Sequence, residues 1–148
     1  MIRKTLLVSG ALVALLVIGV GAAYYVNAAP VVAAIPTEMA AAPDKPFVVK
    51  LHARWCHICL ATMGMWSQVA EAYQDRVHLV VFDFTDATNT EASRVEAARL
   101  GMETFFNEYA GISGVVAVLD PKTKEVTGWI DGSRDFAGYR AAIESALR

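Results

Sequence analysis

Apolar and polar positions alternate with a spacing that changes along the chain, and each change marks an element. From Thr5 to Val26, TLLVSGALVALLVIGVGAAYYV is uncharged and almost wholly apolar. As a helix rising ~1.5 Å per residue it would span about 30 Å of hydrocarbon. Residues 27–46, NAAPVVAAIPTEMAAAPDKP, are rich in Ala and Pro without a sustained period and read as a tether. FVVKLHA, beginning at Phe47, is short and mostly apolar and β-branched, which predicts a buried strand. Cys59, Met63, Trp66, Ala70 and Tyr73 then recur at steps of four, three, four and three, the stripe of an amphipathic helix running to about Asp75. VHLVVFDF at 77–84 predicts a second buried strand. From Asp86 the chain is helical in period, with Ala92, Val95, Ala98, Leu100, Phe105, Phe106 and Tyr109 as its apolar side and Gly101 as a break between two helices. GVVAVLD, the turn DPKTKE and EVTGWID predict a β-hairpin. A last helix follows, with Ser133 as N-cap and Phe136, Tyr139, Ile143 and Leu147 on one face.

The order strand, helix, strand, helix, strand, strand, helix implies an α/β fold: a mixed sheet with a right-handed parallel crossover and helices on both faces. The expected organisation is a membrane anchor or signal peptide at 1–26, a linker at 27–46 and one folded domain at 47–148. About 100 residues suffice for a single core.

Charge narrows the partners and the compartment. The formal net charge is -2, and the chain carries no basic stripe, so nucleic acid is excluded as an expected partner. Arg3 and Lys4 precede the apolar segment and the next charge is Glu38. By the positive-inside bias the N-terminus stays in the cytoplasm and the remainder is exported. The 5–26 segment is either a retained anchor or a signal peptide cleaved near Val26-Asn27-Ala28. Both alternatives place the domain in the periplasm or on the outer face of the cytoplasmic membrane, where disulfides persist.

The candidate chemistry lies in KLHARWCHICL, residues 50–60, which holds the chain's two cysteines three positions apart. A Cys-x-x-Cys at a strand-to-helix junction puts Cys56 at a helix N-terminus, where unpaired N–H groups favour a thiolate, and Cys59 one turn in, where it can close a disulfide. With a free-thiol pKa near 8.5, only about 3% is thiolate at pH 7, so the environment decides reactivity. The alternative from another class is copper or zinc binding by the two thiolates with His57 or His52. Against it, a structural zinc site takes four protein ligands and there is no second cysteine pair. Covalent haem is weaker still, because Leu60 stands where the attachment motif needs histidine. His78 reads as a surface or edge residue and His52 as a packed strand histidine. Met63, Met65, Trp66, Phe105 and Phe106 read as core. Lys50, in a buried strand, needs a partner, and Asp83 on the neighbouring strand is the candidate.

VVKLHARWCHICLATMGMWSQVAEAY resembles the thioredoxin family's central strand, Trp-Cys-x-x-Cys and following helix in order and spacing, and AGISGVVAVLD with TGWIDG resembles its hairpin. Gly64 stands where the family often has a helix-kinking proline, and Gly132 at its usual glycine. The resemblance covers about residues 46–148. It implies a thioredoxin fold with a minimal βαβαββα core and a four-stranded mixed sheet, of the membrane-tethered kind. It further implies a thiol-disulfide oxidoreductase with Cys56 as nucleophile, Cys59 as resolving cysteine and Trp55 shielding the pair. Ile112 and Ser113 would belong to the loop that pairs with substrate backbone. The redox-active disulfide would serve in place of a bound cofactor, and the partners would be protein thiols or disulfides with a membrane or soluble redox partner. A narrower role in cytochrome or metalloprotein assembly is the second thiol reading.

Three departures are expected to matter. His57-Ile58 separates the cysteines, so His57 can add charge beside the Cys56 thiolate. Lys50 occupies the place of a buried acid and His52 that of an aromatic. With Arg54 they make the surroundings basic, which favours the dithiol and a more oxidising disulfide, whereas membrane-tethered relatives are often reductants. Ser113 falls at the cis-proline position, and the cost of a non-proline cis bond, ~2.5 to 4 kcal/mol, predicts trans.

Overall fold

Burial without interruption from Phe47 to Leu51 makes β1 (Phe47–His52) the centre of the fold: five of its six residues are buried, as expected for a strand covered on both faces. The computed structural model describes residues 42–148. The expected anchor and most of the linker lie outside the described residues, and within them no helix is long and apolar enough to cross a membrane. Residues 42–46 form a turn whose end is tied down, because His78 Nε2 lies 2.8 Å from the Ala42 carbonyl.

After β1 come α1 (His57–Ala61), α2 (Met63–Tyr73), β2 (His78–Asp83), α3 (Ala87–Arg99), α4 (Glu103–Tyr109), β3 (Val115–Leu119), β4 (Val126–Asp131) and α5 (Phe136–Ala146). The sheet order is β2-β1-β3-β4, with β1 and β2 parallel and the other two pairs antiparallel. This is the four-stranded mixed sheet of a thioredoxin fold. One face packs Val49, Leu51, Val80, Phe82 and Ala117 against Ala97, Met102, Phe105 and Phe106. The other packs Val48, Val116, Val118 and Ile130 against Val69, Tyr73, Tyr139 and Ile143.

The helix after the cysteines is not continuous. It breaks at Thr62 (φ -103, ψ 7) rather than at Gly64, and the Thr62 hydroxyl donates to the Ile58 carbonyl at 2.8 Å, the back-bonding that bends helices. The break rotates the buried stripe, so Val69 and Tyr73 are buried, Trp66 is half-buried and Met63 is exposed instead of core. Gly101, at φ +68, separates α3 from α4 as its place in the pattern implies.

Three further expectations are corrected. On α3 the buried side is Ser93 and Ala97, with Val95 exposed, because Ser93 Oγ accepts from the Asp83 N–H at 2.8 Å and so ties α3 to β2. β2 is a half-buried outer strand with Val81 exposed, not a fully buried one. The N-cap of α5 is Asp135, whose carboxylate accepts from Ala137 N–H at 3.0 Å, while Ser133 Oγ accepts from Asp135 N–H. His78 opens the edge strand β2, one of its two expected places, and is buried there at 5% exposure with its ring packed on Phe47 at 4.8 Å between centroids.

Candidate functional site

β1 ends by delivering the chain into a tight turn, Ala53 to Cys56, closed by Cys56 N–H to Ala53 O at 3.2 Å. Cys56 is the N-cap of α1, in extended conformation, and its sulfur accepts the Cys59 N–H at 3.1 Å. Cys59, one turn in, is 0% exposed, and its S–H donates to the Leu51 carbonyl at 3.8 Å. Cys56 is 8% exposed, so the first sulfur is the one a partner can reach. Both are free thiols.

The two sulfurs are driven apart in acidity. Burial alone raises the Cys56 thiol, but the Cys59 thiol, the Ser113 hydroxyl and the N–H groups of Cys59 and Ile58 outweigh it, and Cys56 lies below the ordinary thiol value. Burial, with the neighbouring Cys56, pushes Cys59 above it. These are the properties of an attacking and a waiting sulfur. The favourable donors are local, since α1 is only five residues long.

The loop before β3 closes over the pair. Gly114 has φ +87, its N–H donates to Leu51 O at 2.9 Å, and its carbonyl accepts Gly132 N–H at 3.1 Å. A Cβ at Gly114 would lie 3.0 Å from Ile58 Cγ2 and 3.5 Å from Cys56 Sγ, and one at Gly132 3.2 Å from Ile58 Cγ2. Ile58 therefore sits in a notch made by two glycines, with Gly114 the residue laid against the reactive sulfur. The described residues contain no cis peptide bond, so Ser113 is trans, and its side chain is among the groups that hold the Cys56 thiol below its ordinary value. Ile112 is exposed beside it.

Trp55 is 59% exposed and held by its Nε1–H, which donates to Thr85 O at 3.1 Å. Thr85 Oγ1 accepts the Arg54 N–H at 2.9 Å and donates to Asp83, whose Oδ1 also accepts Thr85 N–H at 2.8 Å. The Asp83 carboxylate is thus committed to Thr85, and the expected Lys50–Asp83 pair is absent. The register explains this: Asp83 stands opposite His52, while Lys50 stands opposite Val81 and Val116.

Lys50 is 5% exposed, with Nζ 5.6 Å from the Trp66 ring centroid. Burial lowers its pKa, and the two cysteine sulfurs are the groups that oppose the shift. His52 is also lowered, first by burial and then by Lys50 and Arg54 against Asp83, and its Nδ1 is buried without a hydrogen-bond partner. Arg54 faces outward to Asp86 at 3.5 Å. His57 is exposed and is not among the groups that shift Cys56, contrary to its expected role. Among the described residues no group of three or more His, Cys, Asp or Glu side chains could hold a metal ion.

Sequence reasoning singled out the cysteines, Trp55, Lys50 and Ser113 but not Gly114, Thr85 or the Ile58 notch. The turn pair Ser113-Gly114 before a β-branched run was the available signal for the glycine. Nothing marked Thr85.

The family model described as thioredoxin matches residues 31–105. Among solved structures, thioredoxin F from spinach chloroplast in its short form is 24% identical, with 73% of this chain and 81% of that one covered and a TM-score of 0.48. A thiol:disulfide interchange protein of the thioredoxin family from Chlorobium tepidum is 22% identical, with coverage of 74% and 85% and a TM-score of 0.49. Thioredoxin f2, in its complex with ferredoxin:thioredoxin reductase, is similar at 23% identity, 74% and 84% coverage and a TM-score of 0.47. No curated protein sequence matches the chain.

Proposed function

The chain belongs to the thioredoxin family, and from that premise we propose that it exchanges disulfides with partner proteins through Cys56 and Cys59. The observation that carries this is the division of labour between the sulfurs: one reachable and stabilised as a thiolate, the other sealed one helical turn behind it. In the reductive direction the Cys56 thiolate attacks a partner disulfide, forming a Cys56–partner disulfide and releasing one partner thiolate. Cys59 then loses its proton and attacks Cys56 Sγ, so that the internal disulfide forms and the second partner sulfur leaves and is protonated. Two electrons pass from the pair to the partner, and the oxidative direction is the same path reversed.

Exposed Trp55, Ile58 and Ile112 supply an apolar rim for a protein partner. The apolar segment 5–26 behind Arg3 and Lys4 supports an extracytoplasmic domain, with partners that meet it there. The test is a trapping series on the full-length chain. Cys59→Ser is expected to accumulate mixed disulfides at Cys56, and Cys56→Ser to form none. A wild-type chain that never closes an internal disulfide across a glutathione series sinks the reading.

A further inference from the structure

We propose that Trp129, Tyr109 and Asp131 form a second contact site beside the cysteines, taking a lysine or arginine side chain that an extended partner segment carries about four or five residues from the attacked sulfur. This rests on the exchange reading above and adds the chemistry by which a partner is chosen.

The site is continuous with the reactive sulfur. A Cβ at Gly114 would lie 3.5 Å from Cys56 Sγ, and the Gly114 carbonyl accepts Gly132 N–H at 3.1 Å, which brings the end of β4 one strand away from the sulfur. At ~3.4 Å per residue, Trp129 stands about 10 Å back along β4 from Gly132. Tyr109, the last residue of α4, sets its ring 5.0 Å from the Trp129 ring between centroids. Its carbonyl accepts the N–H of Ile112, the exposed neighbour of Ser113. With strands ~4.8 Å apart, the way from the sulfur to Trp129 is about 13 Å, or four to five residues of extended chain.

The patch is open at the edge of the sheet. β4 ends the strand order, and the face that carries Ile130 is covered by Tyr139 and Ile143 of α5. Trp129 and Asp131 project from the other face, at the register positions of Ala117 and Val115. Trp129 is 41% exposed and Asp131 is exposed. Phe105 backs the Tyr109 ring at 5.0 Å, so the two outer rings form a fixed surface.

Charge selects the occupant. Asp131 is the next residue on the same face as Trp129, and Glu108 is exposed on the last turn of α4, where it holds the Tyr109 hydroxyl above its ordinary value. Neither carboxylate is in an ion pair among the described residues, whereas Asp86, Glu91, Glu96 and Glu144 each are. Arg134, the nearest cation to Asp131 in sequence, lies past Gly132 in the turn to α5. An indole beside unpaired carboxylates attracts a cation through the ring and the charges together.

The probes are two peptides identical but for one position, each with a cysteine capped by a coloured aromatic thiolate and either arginine or glutamate five residues away. Each pair is made with that residue before and after the cysteine. Colour release reports attack by Cys56 of the reduced full-length chain, and the readout is the arginine-to-glutamate rate ratio, in which a general loss of reactivity cancels. In one placement the ratio is expected to be about five, the worth of one exposed cation–ring contact with one surface ion pair, and to shrink in high salt. Trp129→Ala and Asp131→Asn should each bring it most of the way to one, and Asp131→Lys should invert it. Asp131 is exposed, so Asp131→Lys carries the test if Trp129→Ala disturbs the fold. A ratio of one in both placements, or one that survives Asp131→Lys, overturns the site. So does a wild-type dimer in sedimentation that Trp129→Ala dissolves, because a second copy then covers the patch. A wild-type chain releasing no colour from any probe would instead defeat the exchange reading itself.

Discussion

Gly114→Ala puts one methyl group where the backbone of the site is tightest, and its cost can be worked from two separable terms. The first is conformational: at φ +87 an L-residue costs roughly 1–2 kcal/mol, partly offset by about 0.4–1 kcal/mol from a less flexible unfolded chain. The second is crowding: the new Cβ would meet Ile58 Cγ2 at 3.0 Å and Ile58 Cβ at 3.1 Å. Ile58 Cβ is fixed to the first turn of α1, so it yields only if the helix start moves, and overpacking of this kind costs about 1–3 kcal/mol. Gly111 isolates the first term, because it has φ +83 with nothing within 4 Å of the place an added methyl would occupy. Gly111→Ala is therefore expected to cost about 1 kcal/mol and Gly114→Ala about 2–4 kcal/mol. At roughly 4–8 °C per kcal/mol for a domain of this size, Gly114→Ala lowers Tm by about 8–32 °C. Thermal unfolding of the reduced protein, followed by circular dichroism, measures both. Adding Ile58→Ala to Gly114→Ala should return about 1 kcal/mol or more as a coupling energy. Equal melting of the two alanine variants, or no coupling with Ile58→Ala, refutes the notch.

Three further outcomes are expected. Lys50→Met should stabilise the oxidised protein near neutral pH, because it removes the cost of burying a charge that has no carboxylate partner. Because burial lowers the folded pKa of Lys50, the wild type gains stability as pH rises from that lowered value towards the free lysine value near 10.4, so the gap to Lys50→Met should close over that window; a gap independent of pH contradicts the assignment. Thr85→Val removes the acceptor for Arg54 N–H and the donor to Asp83 and should cost about 1–2 kcal/mol in denaturant unfolding, with Thr85→Ser close to wild type. Ser113→Ala removes a donor to the Cys56 thiolate: the alkylation profile of Cys56 should move to higher pH, and an unmoved profile shows that the hydroxyl does not act on the sulfur. The same linkage governs the reduced protein, in which the contribution of Cys56 to stability is present above the unfolded thiol value near 8.5 and is lost as pH falls through the lower folded value.

Much of the architecture was legible because it is written in local periodicity. The β1 run is apolar on both faces, Gly101 interrupts a helical pattern, and the hairpin turn has its own chemistry: Asp120 Oδ1 accepts the N–H groups of Lys122 and Thr123, both at 2.8 Å. What periodicity misplaced was rotation. A hydroxyl folded back on Ile58 turned the stripe of α2, and a serine needed by the Asp83 backbone took an inward place on α3 that hydropathy assigned to valine. At the site, the cysteine spacing was sufficient to locate both sulfurs, because one helical turn fixes their separation. Lys50 was recognised as needing a partner, but the partner depends on strand register, which sets Asp83 opposite His52 and is not encoded in either strand alone. Thr85 is thirty-one residues from Arg54, and its role exists only once β2 lies beside β1.

The basic character expected of KLHAR shrinks, in three dimensions, to a single cation. Arg54 is spent on Asp86, His52 is held towards its neutral form by burial and by Lys50, and His57 is exposed. What remains around the sulfurs is Lys50, the Ser113 hydroxyl and the backbone N–H groups of Cys59 and Ile58. These have one property in common: each gains from a thiolate and loses that gain when the disulfide closes. Their contributions therefore add to the stability of the dithiol relative to the disulfide, and at about 1.4 kcal/mol per 30 mV they move the potential in one direction, towards a stronger oxidant. Lys50 carries a second consequence that the neutral donors do not. Burial of its charge without a carboxylate is tolerable only while a thiolate is present, so the same residue that favours the reduced pair destabilises its own ammonium in the oxidised one.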